Sequence, residues 1–240
     1  MEPRETDAHF QTTSWQLVRR ASSSPEDLDK LVRIYWSPIY AFVRRSGKRR
    51  QDALDLTQEF LTKVVLERGL LKKADPNRGR FRALLKTAIR NFLIDQARKD
   101  KPRSTLRHSS FLPTGDGPYE AAEPADDADP ADAFERQWSA AILGETLSRL
   151  ERQCSEDGLA IHWRVFEANV VGPTVHETKK IPLNQLAEEL GIESAEQVSS
   201  MLQTVKRKFR RTLRDVVAET VDSEVEIDHE LSFVRESLRI

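Results

Sequence analysis

Six basic residues stand within nine positions near the end of the chain: Lys206, Arg207, Lys208, Arg210, Arg211 and Arg214. Just before them come Glu196, Gln197, Ser199, Ser200, Gln203 and Thr204. Short polar side chains at the start of a helix reach base edges, and arginines and lysines further along grip phosphates. A second cationic set, Arg82, Lys86 and Arg90, recurs every four residues, so on a helix it forms one stripe. Such a stripe suits the backbone of a single strand. Asp52, Asp55 and Glu59 fall at i, i+3 and i+7 and make an acidic face with Gln58 beside it. On an otherwise basic stretch, that face suits a basic protein partner. For the basic run and the acidic face the plain alternative is a solvated helix face.

Covalent or metal chemistry finds no comparable residues. His9, His108, His162, His176 and His229 are scattered, without ligand spacing. His162 beside Trp163 reads as a buried or half-buried helix residue. Gly47-Lys48 lacks the upstream glycine of a phosphate-binding loop. There is no Gly-x-Ser-x-Gly and no Cys–His pairing for a nucleophile. Cys154 is the only cysteine, which excludes a disulfide framework and a cysteine metal cluster and points to a reducing, cytoplasmic compartment. The expectation is a protein that is not an enzyme, with no catalytic residue, metal or cofactor. No apolar run reaches the ~18 residues a membrane span needs. The N-terminus, MEPRETDAHF, is acidic and polar and does not read as a secretory signal.

The elements that must carry these residues read as helices. From Pro182 to Val217 two helices are joined by a tight turn. Leu183, Leu186, Ala187 and Leu190 make one apolar stripe, and Gly191 follows, where a helix end tolerates a left-handed residue. Val198, Met201, Leu202, Val205 and Phe209 make the second stripe, and small Ala187 lets the helices approach. This is a helix-turn-helix outline, whose second helix can enter a DNA major groove.

Upstream, Ser24-Pro25-Glu26-Asp27 reads as a helix start, with Ser24 as N-cap. Pro38 is expected to break or kink the helix that follows. Gln51 to Arg68 reads as the next helix, ending at Gly69, and residues 75–79 as a turn. Arg80 to Lys99 is a further helix with Phe81, Leu84, Leu85, Ala88 and Phe92 on its buried face. Later helices are expected over Ile142–Leu150 and Ile161–Val170, with Gly172-Pro173 opening a loop. The segment from Glu219 to Ile240 reads equally as an appendage or as a helix packed on the second domain. Trp15, Trp36, Trp138 and Trp163 are expected as core or interface anchors.

The net charge of −1 hides a segregation. Leu28 to Ser110 carries 21 Lys and Arg against 8 Asp and Glu, whereas Phe111 to Glu135 carries none against 8. A basic module thus precedes an acidic tether, and basic faces attract phosphate backbones by releasing counterions. The tether, residues 102–133, is Pro-rich and lacks apolar periodicity. Fully extended, its acidic part reaches roughly 80 Å. Its charge favours folding back on the basic modules, or it serves simply as a soluble spacer. The expected architecture is therefore all-α: domains at 1–101 and 134–240, joined by residues 102–133.

Several strings resemble a known family. Tyr35-x-x-Pro38-x-Tyr40, then Asp52-Ala53-Leu54-Asp55-Leu56-Thr57-Gln58-Glu59-Phe60, resemble region 2 of an extracytoplasmic-function (group IV) sigma factor, a promoter-recognition subunit of bacterial RNA polymerase. Gly79-Arg80-Phe81-Arg82-Ala83-Leu84-Leu85 and Asn91-Phe92-Leu93-Ile94-Asp95 extend the similarity. Leu186-Ala187-Glu188-Glu189-Leu190-Gly191-Ile192 with Val198 is similar to region 4. The resemblance implies core RNA polymerase and promoter DNA as partners, with an anti-sigma factor or another regulator as a further one. It implies docking of Asp52, Asp55, Leu56, Gln58, Glu59 and Phe60 on the clamp helices of the largest polymerase subunit. It implies recognition and melting of the −10 element by Arg80, Arg82, Lys86, Arg90, Asn91, Arg98 and Lys99. Ser199, Ser200, Gln203 and Thr204 would read the −35 element, with Lys206, Arg207, Arg210 and Arg211 on its phosphates. Leu84 stands where many relatives carry Trp. The rival is a helix-turn-helix repressor or activator acting without polymerase core. Such a protein normally shows a dimerisation helix or a ligand pocket, and the sequence reveals neither.

Overall fold

The computed structural model describes residues 16–67, 69–74, 80–100, 129–175, 178–221 and 224–238. Among them the chain is all-α, with no strand. No helix of these residues is long and apolar enough to cross a membrane. No cluster of three or more His, Cys, Asp or Glu residues among them could hold a metal ion. The turn at 75–79, Trp15, His9, His108, His176 and the tether as far as residue 128 lie outside the described residues. The chain forms two compact units. One runs to Ala141 and includes Ala218–His229; the other comprises Ile142–Val217 and Glu230–Ile240.

The first unit contains α1 (Gln16–Ala21), α2 (Pro25–Arg45), α3 (Arg50–Phe60), α4 (Leu70–Lys73), α5 (Phe81–Asp100) and the start of α6 (Pro130–Glu156). Ser24 caps α2 as its spacing predicts: its extended backbone turns the chain in, and its hydroxyl accepts from the Asp27 N–H at 3.2 Å. α2 is not broken at Pro38. The proline removes one ladder hydrogen bond, but it is buried, and Tyr35, Ile39, Tyr40, Phe42 and Val43 around it are buried too. Each such side chain contributes about 1.5–3 kcal/mol, enough to outweigh the missing bond. α2 ends where Gly47 takes a left-handed φ of 83°.

The helix expected over Gln51–Arg68 is present as α3, continued by a wider π-type turn over Leu61–Glu67, and Gly69 follows with φ 64°. Leu56 and Phe60 are buried, and Phe60 meets Phe92 of α5 edge-on at 5.6 Å. Tyr35 meets Phe81 edge-on at 5.3 Å. Such pairs add about 0.5–1.5 kcal/mol beyond burial.

The second domain does not begin at Phe134. Ala133, Phe134 and Trp138 are buried within the first unit. Phe134 lies 6.5 Å from the Tyr35 ring, and the Ser37 hydroxyl donates to Gln137 Oε1 at 2.9 Å. The first turns of α6 carry their own apolar face, so they join the core nearest to them.

The second unit contains the rest of α6, α7 (Ala160–Phe166), a π-type segment Glu167–Val171, α8 (Gly172–Val175), α9 (Leu183–Leu190), α10 (Ala195–Ala218) and the end of α11 (Glu224–Leu238). Gly172-Pro173 does not open a loop at once: a helical turn continues to Val175, because a proline is tolerated in a first turn. Buried Asn169, in the π-type segment, donates to the Ile181 carbonyl at 3.1 Å and so fixes the strand of chain that leads into α9. The core is made by Leu150, Cys154, Trp163, Phe166, Leu186, Ala187, Val198, Leu202 and Val205. Both stripes of the helix-turn-helix outline therefore face inward. Gly191 takes φ 67°, and the Ile192 N–H reaches back to the Ala187 carbonyl at 2.9 Å, closing α9 in the manner of a Schellman turn.

Candidate nucleic-acid and partner interfaces

The acidic face lies on α3. Asp55 and Gln58 are exposed, and Asp52 and Glu59 are half-buried. Asp55 accepts from Gln51 Nε2 at 3.4 Å. Glu59 is tied into its own unit: Lys63 Nζ donates to it at 2.7 Å and Gln96 Nε2 at 2.6 Å. Burial pushes the Glu59 carboxyl up, but the bonds from Lys63 and Gln96 and the charges of Lys63 and Lys99 outweigh it and leave it below the ordinary 4.5. Leu56 and Phe60 differ from expectation. They are 6% and 0% exposed, so they hold α3 on the core and offer a partner no surface. The outward set is Asp52, Asp55, Gln58 and the free edge of Glu59.

The cationic stripe on α5 is divided. Arg82 is 7% exposed; its Nη1 and the Lys86 Nζ both donate to the Glu135 carboxylate at the start of α6. The Arg82 guanidinium also lies over the Trp138 ring, 4.4 Å from its centroid. A single continuous track of Arg82, Lys86 and Arg90 is thus not presented: Glu135, the last acid of the tether's charge run, occupies two of its three members. Arg80 is half-buried, while Arg90, Asn91, Arg98 and Lys99 are exposed. Arg90 borders a depression of about 410 Å3 together with Lys48, Phe42, Leu93 and Ile94. Ile94, an apolar residue one turn beyond Arg90, is 45% exposed.

α10 carries the polar and basic residues in an ordered way. Ser194 caps it by accepting from the Gln197 N–H at 3.2 Å, and Gln197 Oε1 accepts from the Glu193 N–H at 3.2 Å. The backbone N–H at this start, then the Ser194 hydroxyl, hold the Glu196 carboxyl below its ordinary value. Ser200, Gln203, Arg207 and Arg211 are exposed and Thr204 half-buried, and their spacing puts them on one side. Ser199 and Lys206 are half-buried on an adjoining side, where they line a second depression with Gln203. Arg210 is exposed. Lys208 is turned away: its ammonium lies 2.6 Å from Asp157 Oδ2. The six-cation run thus separates into an outward pair, an internally paired lysine, and a row of three, Lys206, Arg210 and Arg214, at four-residue spacing.

Residues 31–103, less than a third of the chain, match the family model for sigma-70 region 2. The match begins within α2 and takes in α3, α4 and α5 of the first unit. No curated protein and no solved structure matches the chain.

Proposed function

We propose that this protein is a sigma factor of the extracytoplasmic-function type, an alternative sigma factor that binds core RNA polymerase in the cytoplasm and directs promoter-specific transcription initiation. The observation that carries the reading is the pairing of the sigma-70 region 2 match with two helices, α9 and α10, of which the second has an outward side that runs from short polar to basic residues. In this reading Asp52, Asp55, Gln58 and Glu59 dock on the polymerase. Arg90, Asn91, Arg98 and Lys99 hold the opened −10 strand, with Arg80 at the edge. Ser199, Ser200, Gln203 and Thr204 read the −35 element, and Arg207 and Arg211 hold its phosphates with Lys206 and Arg210 beside them.

Run-off transcription with core polymerase and genomic fragments tests this directly. The expected result is discrete transcripts that require the added chain. A chain that binds particular duplexes yet yields no transcript and ignores core polymerase would instead be a free-standing helix-turn-helix regulator. One observation favours that second reading: the second unit holds a cavity of ligand size.

A further inference from the structure

Beside the outward face of α10 the second unit encloses a half-open cavity of about 590 Å3. Its size falls in the range of small-ligand sites, ~300–1,000 Å3. Leu143 and Leu147 of α6, Phe166 of α7 and Val170 form its apolar body. Lys206 and Arg210 along one wall and Arg235 of α11 on another supply cations. No carboxylate is among the described residues that line it. Arg235 is steadied by Nε donating to the Leu231 carbonyl at 3.2 Å and by Nη2 lying 3.4 Å from Ser232 Oγ.

An apolar body whose charged lining residues are all cations has one complementary chemistry. A neutral apolar ligand would leave Arg210 and Arg235 without an anion, and a cationic amphiphile would be repelled. A small polar anion would leave the apolar wall in contact with water. We propose that this cavity binds a small amphiphilic anion: an aliphatic chain seated on Leu143, Leu147, Phe166 and Val170, with a carboxylate held by Arg235 and Arg210. Charge-assisted hydrogen bonds from guanidinium groups to a carboxylate are the strong ones, and the half-open rim keeps that head next to water. The site belongs to the second unit alone and stands whether or not the chain works with polymerase.

The test is calorimetric titration of the full chain with decanoate, decanol and decyltrimethylammonium, each as a monomer in solution. Decanoate is expected to bind once per chain, decanol at least about tenfold more weakly, and the ammonium not at all. Arg235→Gln, an exposed position, should weaken decanoate at least about tenfold and leave decanol unchanged. Leu147→Trp fills the cavity and should abolish both; if it fails to fold by circular dichroism, Arg235→Gln still decides. Equal affinity for decanoate and decanol, or an unchanged decanoate affinity in Arg235→Gln, overturns the proposal. So does binding to phosphatidylglycerol vesicles with no binding of monomeric decanoate, which would mark a lipid surface as the anion source.

Discussion

The guanidinium of Arg82 lies 4.4 Å from the centroid of the Trp138 ring. The same guanidinium bonds to Glu135 one helical turn before that tryptophan. A residue that the spacing assigns to a nucleic-acid stripe is thereby built into the interior of the first unit.

Two substitutions measure that clasp. Trp138→Ala should cost about 3–5 kcal/mol in urea unfolding, because a fully buried indole is replaced by a cavity. Glu135→Gln should cost about 3–5 kcal/mol, because buried Arg82 loses the charged carboxylate it bonds, whereas Lys86→Met should cost clearly less because Lys86 keeps part of its surface in water. Equal costs for the two would contradict the assignment of Arg82 as the buried partner.

Glu59 gives a pH signature. Its folded-state carboxyl lies below the ordinary 4.5, so its bonds to Lys63 and Gln96 stabilise the unit above that value and are lost as pH falls through the lowered one. The melting temperature of the wild type should therefore fall more steeply below pH 4.5 than that of Glu59→Gln, and the two curves should run parallel near neutrality. Parallel curves throughout would remove Glu59 from this role.

Gly191 is held at φ 67°, a region where an L side chain is strained. A Cβ there would meet nothing within 4 Å, so the cost of Gly191→Ala is conformational alone, about 1 kcal/mol. Thermal unfolding followed by the fluorescence of Trp163, in the core beneath α9, would read it.

Cys154 is wholly buried, and burial pushes its thiol up, against the opposing pull of Lys208. The proton stays on through neutral pH, and stability falls as pH rises above the ordinary 9.0 towards the raised folded value. Labelling with a thiol reagent at pH 7 should therefore be slow and limited by unfolding. Labelling at the rate of a free thiol would contradict the packing.

Much of this architecture is legible before folding, because its signals are local. Ser24, Gly69 and Gly191 each mark a helix end through a conformational need that no neighbour alters. The apolar stripes of α9 and α10 are likewise periodic on their own. What spacing does not convey is which neighbour arrives. Pro38 reads as a break until the burial around it is counted. Arg82 reads as a surface cation until Glu135 and Trp138, more than fifty residues later, cover it. Leu56 and Phe60 sit within an exposed-looking string, yet their positions on α3 turn them to the core. The cavity of the second unit is invisible in sequence because its walls come from α6, α7, α10 and α11 together.

On DNA, the division of cations along α10 makes the variants unequal. Arg207→Ala and Arg211→Ala should each lower the salt slope of promoter binding by about one phosphate. Lys208→Ala should leave that slope unchanged, because its ammonium is engaged by Asp157. A loss for Lys208 equal to that for Arg207 would mean that the helix presents a different side.

The docking on core polymerase proposed for the acidic face of α3 is measured most directly by co-elution of the full chain with bacterial core enzyme. The wild type should travel with the core, and Asp55→Lys, at an exposed position, should lose the association while its helical circular dichroism is preserved. A wild-type chain that elutes apart from the core, or an Asp55→Lys chain that binds it as tightly as the wild type, would contradict the account.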